Sequence, residues 1–203
     1  MTEAVLQPLS LSTRSPTTRS HKIPGNMAIW AAILAEMSEF AIMFIVYFLA
    51  KVHNPVVFNE GPAKLSTLAG ASNTLIMLTS SFFVVRAVIA MRENNPVMSS
   101  RWLWGAVFCG ILYLIIKYFE YEWNTAQGLS TETNIFYAVY YYVTFNHFLH
   151  VAWGSAAIIW VIYRLNTGIY TQQEHEGLIN VALYWHMIDL AWITIFPLLY
   201  VIR

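Results

Sequence analysis

Five stretches of this chain are each long and apolar enough to cross a lipid bilayer, and that constrains its fold more than any other feature. A helix rises 1.5 Å per residue, so about 20 mostly apolar residues reach across a hydrocarbon core of roughly 30 Å. The stretches run approximately from Met27 to Ala50, Leu68 to Met91, Trp102 to Glu122, Ile135 to Arg164 and Leu178 to Val201. The expected fold is therefore all-α, a polytopic membrane protein with a five-transmembrane-helix bundle over residues 27–203. Composition agrees: of 203 residues 58% are hydrophobic and 11% charged, against roughly 25% charged in a soluble domain. Net charge is zero and there is no long basic run, so nucleic acid is excluded as an expected partner. The single cysteine, Cys109, lies in an apolar run and can form no internal disulfide. Eight Trp and twelve Tyr suit aromatic belts at the two interfaces.

Residues 1–26 are polar, rich in Ser and Thr, and broken by Pro8, Pro16 and Pro24. They lack the apolar core of a secretory signal and read as a flexible cytoplasmic tail, although an acid-poor, Arg-containing segment also allows an organelle transit peptide. The connectors "HNPVVFNEGPAK", "RENNPVMSS", "NTAQGLSTETN" and "LNTGIYTQQEHEG" carry the proline, glycine and asparagine that stop one helix and start the next. Arg14, Arg19, Lys22, Arg92, Arg101 and Arg164 fall on one side, with Arg86 near it, against Lys51, Lys64 and Arg203 on the other. Positive residues stay inside, which places the N-terminus in the cytoplasm and the C-terminus outside.

Four of the five spans carry polar pairs spaced i, i+3, which puts both members on one helix face. The pairs are Glu36 and Glu39, Lys117 and Glu120, His147 and His150, and His186 and Asp189. A charge in the middle of a lone membrane helix costs about 2.5–3.5 kcal/mol on insertion scales, so these faces should meet each other, another subunit or water. Lys117 and Glu120 can neutralise each other within one turn, and His186 can donate to Asp189 or pair across to a neighbouring helix. For the histidines, one reading is metal or haem ligation; the other is a hydrogen-bonded packing role. The Glu-x-x-His repeat of di-iron bundles is missing, and zinc sites on a helix more often use i, i+4 histidines. Gly105, Gly110, Gly154 and Ser155 suit close helix approach, "FYAVYYYVTF" suits an interfacial belt, with a quinone or lipid site as the sharper reading, and Pro197 is placed to bend the last helix.

In order along the chain, "MSEFAIMF", "KYFEY", "HFLHVAWG" and "EHEG…YWHMIDLAW" resemble subunit III of haem-copper oxidases, the cytochrome c and quinol oxidase group, from about Ile29 to Tyr200. The resemblance implies a non-catalytic accessory subunit in a bacterial inner membrane. Such a subunit has no haem or metal of its own; those sit in the partner catalytic subunit I, which it supports in assembly, proton uptake and gas access. Bound phospholipid is implied as well. Matched by motif, Glu39, Glu120, Tyr121, His147, His150, Gly154, Glu176, Trp185, His186, Asp189 and Trp192 fall on the family's positions. With Glu36 and Lys117 they are the residues expected to form a buried polar network with lipid- or proton-related roles, Gly154 serving close packing. Three departures stand out. The two extra N-terminal spans of many relatives are absent, Phe148 replaces a glycine usual between the histidines, and several connectors look more like short relatives encoded with nitric oxide reductases. Two other classes remain open on the residues alone: an independent membrane metal- or haem-binding protein using the histidine and carboxylate faces, and a small proton-conducting transporter. No inverted-repeat symmetry points to the latter.

Overall fold

The spanning helices start where a short polar side chain caps them. In the computed structural model, which describes residues 23–202, Asn26 accepts from the Ile29 amide at 2.9 Å, Ser66 from Ala69, Asn95 from Met98 and Asn134 from Tyr137. Each cap satisfies an amide that would otherwise be orphaned at a helix N-terminus. These caps open α1 (Met27–His53), α3 (Thr67–Arg92), α4 (Pro96–Ala126) and α5 (Ile135–Asn166). The fifth span, α6 (Glu176–Phe196), begins after His175 without a side-chain cap. All five are long and apolar enough to cross a membrane. The fold is all-α, and no strand occurs among the described residues.

Two features differ from the sequence expectation. The largest departure in bounds is α4, which starts at Pro96 rather than near Trp102. Ser99, Ser100 and Arg101 interrupt its first two turns, so a reading by apolar length begins after them, but proline suits a first helical position because its missing N–H has no partner there anyway. The first connector also folds: Pro55–Glu60 forms α2, followed by a 3₁₀ turn over Gly61–Lys64. It lays Phe58, fully buried, edge-on against Tyr47 and Phe136, with ring centroids 5.3 and 5.4 Å away. Of the expected tail, residues 1–22 lie outside the described residues, while residues 23–26 are held on the bundle by Trp30 Nε1 donating to the Pro24 carbonyl and the Asn26 amide donating to Asn180.

Helices α3 and α4 pack along most of their length, and α5 and α6 complete a four-helix core with them; α1 leans on α5 and α6 through a smaller seam. Small residues set the closest approaches. A Cβ on Gly154 would lie 2.9 Å from Ile188 and 3.0 Å from Trp185, and one on Gly110 would lie 2.6 Å from the Ser155 hydroxyl. These glycines let α5 approach α6 and α4 closely enough to seal Trp185, which is fully buried. Hydroxyls such as Ser38, Thr74 and Thr144 bond back to the carbonyl four residues earlier, so they cost little inside an apolar helix. At Pro197 the α-helix gives way to a π turn over Pro197–Val201, because proline brings no N–H to continue the ladder.

Candidate functional site: the polar interior

The polar pairs expected from the sequence fall into four groups in the bundle. The most enclosed is built on Lys117 and Glu120, one turn apart on α4 and both buried. Lys117 Nζ donates to Glu120 Oε2 at 3.1 Å, to the Tyr140 hydroxyl at 3.3 Å and to the Tyr200 hydroxyl. An ammonium has three donors, and all three find oxygen. Tyr140 and Tyr200 in turn donate to Glu120 Oε1 at 2.8 and 2.6 Å, and Asn124 donates to the Tyr140 hydroxyl. The rings of Tyr121, Tyr140, Trp192 and Tyr200 surround the ammonium, with centroids 5.0–5.4 Å away, an arrangement that adds cation–π attraction in a dry site. Tyr140 comes from α5 and Tyr200 from the π turn, so one ion pair ties three segments together.

His147 lies next to this group and is fully buried. Its Nε2 faces the Ile188 carbonyl at 3.2 Å, and its Nδ1 meets the Tyr113 hydroxyl at 3.0 Å. A carbonyl only accepts, so Nε2 carries the proton and Nδ1 accepts from the tyrosine. Both nitrogens of a neutral ring are thereby engaged. Trp192 covers the ring with centroids 5.0 Å apart and donates its own N–H to Thr74 at 3.0 Å.

His150 turns the other way, toward α1. Its Nδ1 donates to the Asn146 carbonyl at 2.8 Å, and its Nε2 lies 2.7 Å from Glu36 Oε2. With Nδ1–H committed to a carbonyl, a single proton is shared across the Nε2–Oε2 contact. Glu39 accepts from the Asn146 amide nitrogen and is otherwise exposed on the outer face of α1. Glu36 and His150 border a pocket of about 470 Å³ between α1, α5 and α6, which also takes in Trp153, Asn180 and Tyr184.

The fourth group lies between α3 and α6. His186 Nδ1 is 2.6 Å from the Ser81 hydroxyl and 3.9 Å from Asp189 Oδ2. Asp189 is buried, and neither carboxyl oxygen has a hydrogen-bond partner among the described residues. Trp185 fills the glycine-lined seam, and Tyr121 donates to Thr144 at 2.9 Å. Glu176 is exposed in the first turn of α6, outside all four groups. Among the described residues, no three His, Cys, Asp or Glu side chains converge as a metal-binding group.

Sequence reasoning did not single out Tyr113, Asn124, Tyr140, Asn146 or Tyr200. Tyr140 sat inside the aromatic run expected at the membrane interface; in the structure Phe136, Tyr137 and Tyr140 of that run are buried, and Tyr142 and Phe145 are exposed. Tyr200 faces inward from the π turn, a local geometry that no spacing rule announces.

A helical bundle whose Lys117–Glu120 pair is closed by its own hydrogen bonds defines a membrane subunit braced by polar contacts. The family model described as cytochrome c oxidase subunit III matches residues 24–202, and the chain belongs to that family. It is similar to a protein named cytochrome c oxidase subunit 3 from Synechocystis sp., 31% identical over 171 residues covering 84% of this chain and 72% of that one. A probable cytochrome c oxidase subunit 3 from Nocardia farcinica is 26% identical over 205 residues, spanning both chains completely. A protein named heme-copper oxidase subunit I+III from Aeropyrum pernix is 28% identical over 182 residues, 86% of this chain and 22% of that longer one.

Proposed function

We propose that this chain is a non-catalytic accessory subunit of a haem-copper respiratory oxidase and docks on its catalytic subunit I. The observation that carries the reading is the family match over nearly all the described residues. The similarity to one segment of a protein whose name joins subunits I and III supports the choice of partner. Haem and metal then belong to the partner, and this chain supplies a rigid helical body. That fits His147, whose two ring nitrogens are both committed to hydrogen bonds, so serving as a ligand would require breaking one of them.

In this reading the laterally open pocket beside Glu36 and His150, with Leu149, Trp153 and Val181 along its apolar wall, takes a phospholipid. The protein sits in a bacterial inner membrane with its N-terminus in the cytoplasm. Support for the orientation is that Arg92, Arg101 and Arg164 lie at the end of the bundle where α1 begins, while Lys51 and Lys64 lie at the other. The protein's part in proton uptake and gas access of subunit I follows from the same family reading.

The test is a mild-detergent pull-down of the tagged chain from native membranes, followed by metal analysis and a haem spectrum. A haem-bearing subunit I in near-equal amount is expected. Haem with copper in that partner identifies an oxygen reductase, and haem with non-haem iron points to the nitric-oxide-reducing branch that the connectors resemble. A chain that comes down alone, with its own metal or haem, overturns the reading.

A further inference from the structure

A groove of about 240 Å³ runs between α3 and α6 on the side where α1 begins. Arg92 and Pro24 stand at its outer end, Val88, Ala182 and Leu183 form its walls, and His186 closes it at the inner end. One helical turn further, Asp189 is 4% exposed, with both carboxyl oxygens unpartnered among the described residues. Among the buried acidic and basic side chains of the described residues that is exceptional. The other buried charged groups, Lys117 and Glu120, have every polar atom engaged. Asn73 also lacks partners, but it is a neutral amide, and burying an unpaired carboxylate costs far more than burying an unpaired amide. The imidazole between groove and carboxyl is about a third exposed, and its Nδ1 faces both the Ser81 hydroxyl and Asp189 Oδ2.

We propose that His186 and Asp189 form a proton-holding site filled from this groove. A hydronium ion in the groove gives its proton to His186 Nε2 and leaves as water. The imidazolium then releases its Nδ1 proton to the Asp189 carboxylate, through the Ser81 hydroxyl or by a small ring rotation that closes the 3.9 Å gap. The result is a neutral imidazole carrying its proton on Nε2 and a carboxylic acid on Asp189; the reverse sequence empties the site. An imidazole suits the middle position because it accepts at one nitrogen and releases at the other. Arg92 and His186 are the titratable or charged side chains lining the groove from α3 and α6. The site belongs to this chain alone and does not depend on which catalytic subunit the chain joins.

Infrared difference spectroscopy tests it on the full chain with its native partner, comparing wild type with Asp189→Asn, His186→Phe and Ala182→Leu. A carboxylic acid carbonyl band should appear on acidification and be missing in Asp189→Asn. In D₂O that band should exchange about a hundredfold more slowly in His186→Phe, the usual scale for loss of a positioned proton-transfer group. It should also exchange more slowly in Ala182→Leu, which fills the groove and leaves the imidazole in place. A spectrum unchanged by Asp189→Asn overturns the proposal. So does exchange as fast as wild type in both His186→Phe and Ala182→Leu, which a merely structural Asp189 would give.

Discussion

The Lys117–Glu120 group and the Glu36–His150 pair are both acid–base contacts inside a membrane protein, yet they are built on opposite plans. The first is sealed. Side-chain exposure is 0% for Lys117 and 1% for Glu120, every donor and acceptor of the ion pair itself is matched, and the contacts reach α4, α5 and the π turn. The second is open. The His150 and Glu36 side chains are 13% and 31% exposed, and together with Glu39–Asn146 they join α1 to α5 beside a pocket. A dry pair cannot tolerate loss of one member, because the survivor is left as an uncompensated buried charge. An open pair can fall back on water or on headgroups. The same residue chemistry therefore braces the bundle in one place and leaves an adaptable seam in the other.

The largest effect should come from Lys117→Met, which strands Glu120 and removes the centre of the aromatic cage. A loss of about 3–5 kcal/mol is expected, read as loss of folded protein or a collapsed thermal transition in detergent. A stable Lys117→Met protein would break the comparison at its strong end. Next comes Gly154→Leu, whose side chain must displace Trp185 and Ile188; overpacking of this kind costs about 1–3 kcal/mol. It should lower both thermal stability and recovery with the catalytic partner, and normal recovery would show that α5 and α6 can separate. Tyr200→Phe takes one donor from Glu120 and one acceptor from Lys117, but both charges keep other partners, so a loss at the low end of the range for charged hydrogen bonds, about 1.5 kcal/mol, is expected. Exposed Tyr142→Phe serves as its control and should melt like wild type. The smallest effect belongs to Glu36→Gln, for which an exposed-pair value of about 0–1 kcal/mol applies. Amide exchange sharpens that end: α1 should open faster than α4, and equal protection along both would mean the α1 seam is tighter than its contacts suggest.

Much of this architecture is written in the sequence because bilayer thickness leaves few choices. Apolar length located all five spans, but it placed the start of α4 near Trp102, and the Asn and Ser caps that open four of the helices emerged only with the structure. The i, i+3 rule also identified the Lys117–Glu120 contact, since both partners lie on one helix. It was less informative for His147 and His150. Positions three apart differ by about 60° around a helix, enough to aim one ring at the core and the other at α1. Glu36 and Glu39 divide in the same way, the first toward His150 and the second toward Asn146 at an exposed face. Tyr140 was hidden among other aromatics, and Tyr200 depends on the π turn that Pro197 begins. Those two phenols complete the sealed group, and only the assembled helices bring them to Lys117.

The most direct test of this contrast is a pair of double-mutant cycles on thermal or denaturant stability, one on Lys117→Met with Glu120→Leu and one on Glu36→Leu with His150→Leu. The sealed pair should show strong coupling, with the double variant more stable than either single one, because no lone charge remains. The open pair should show coupling of about 1 kcal/mol or less. Weak coupling between Lys117 and Glu120, or equal coupling in the two cycles, would contradict the account.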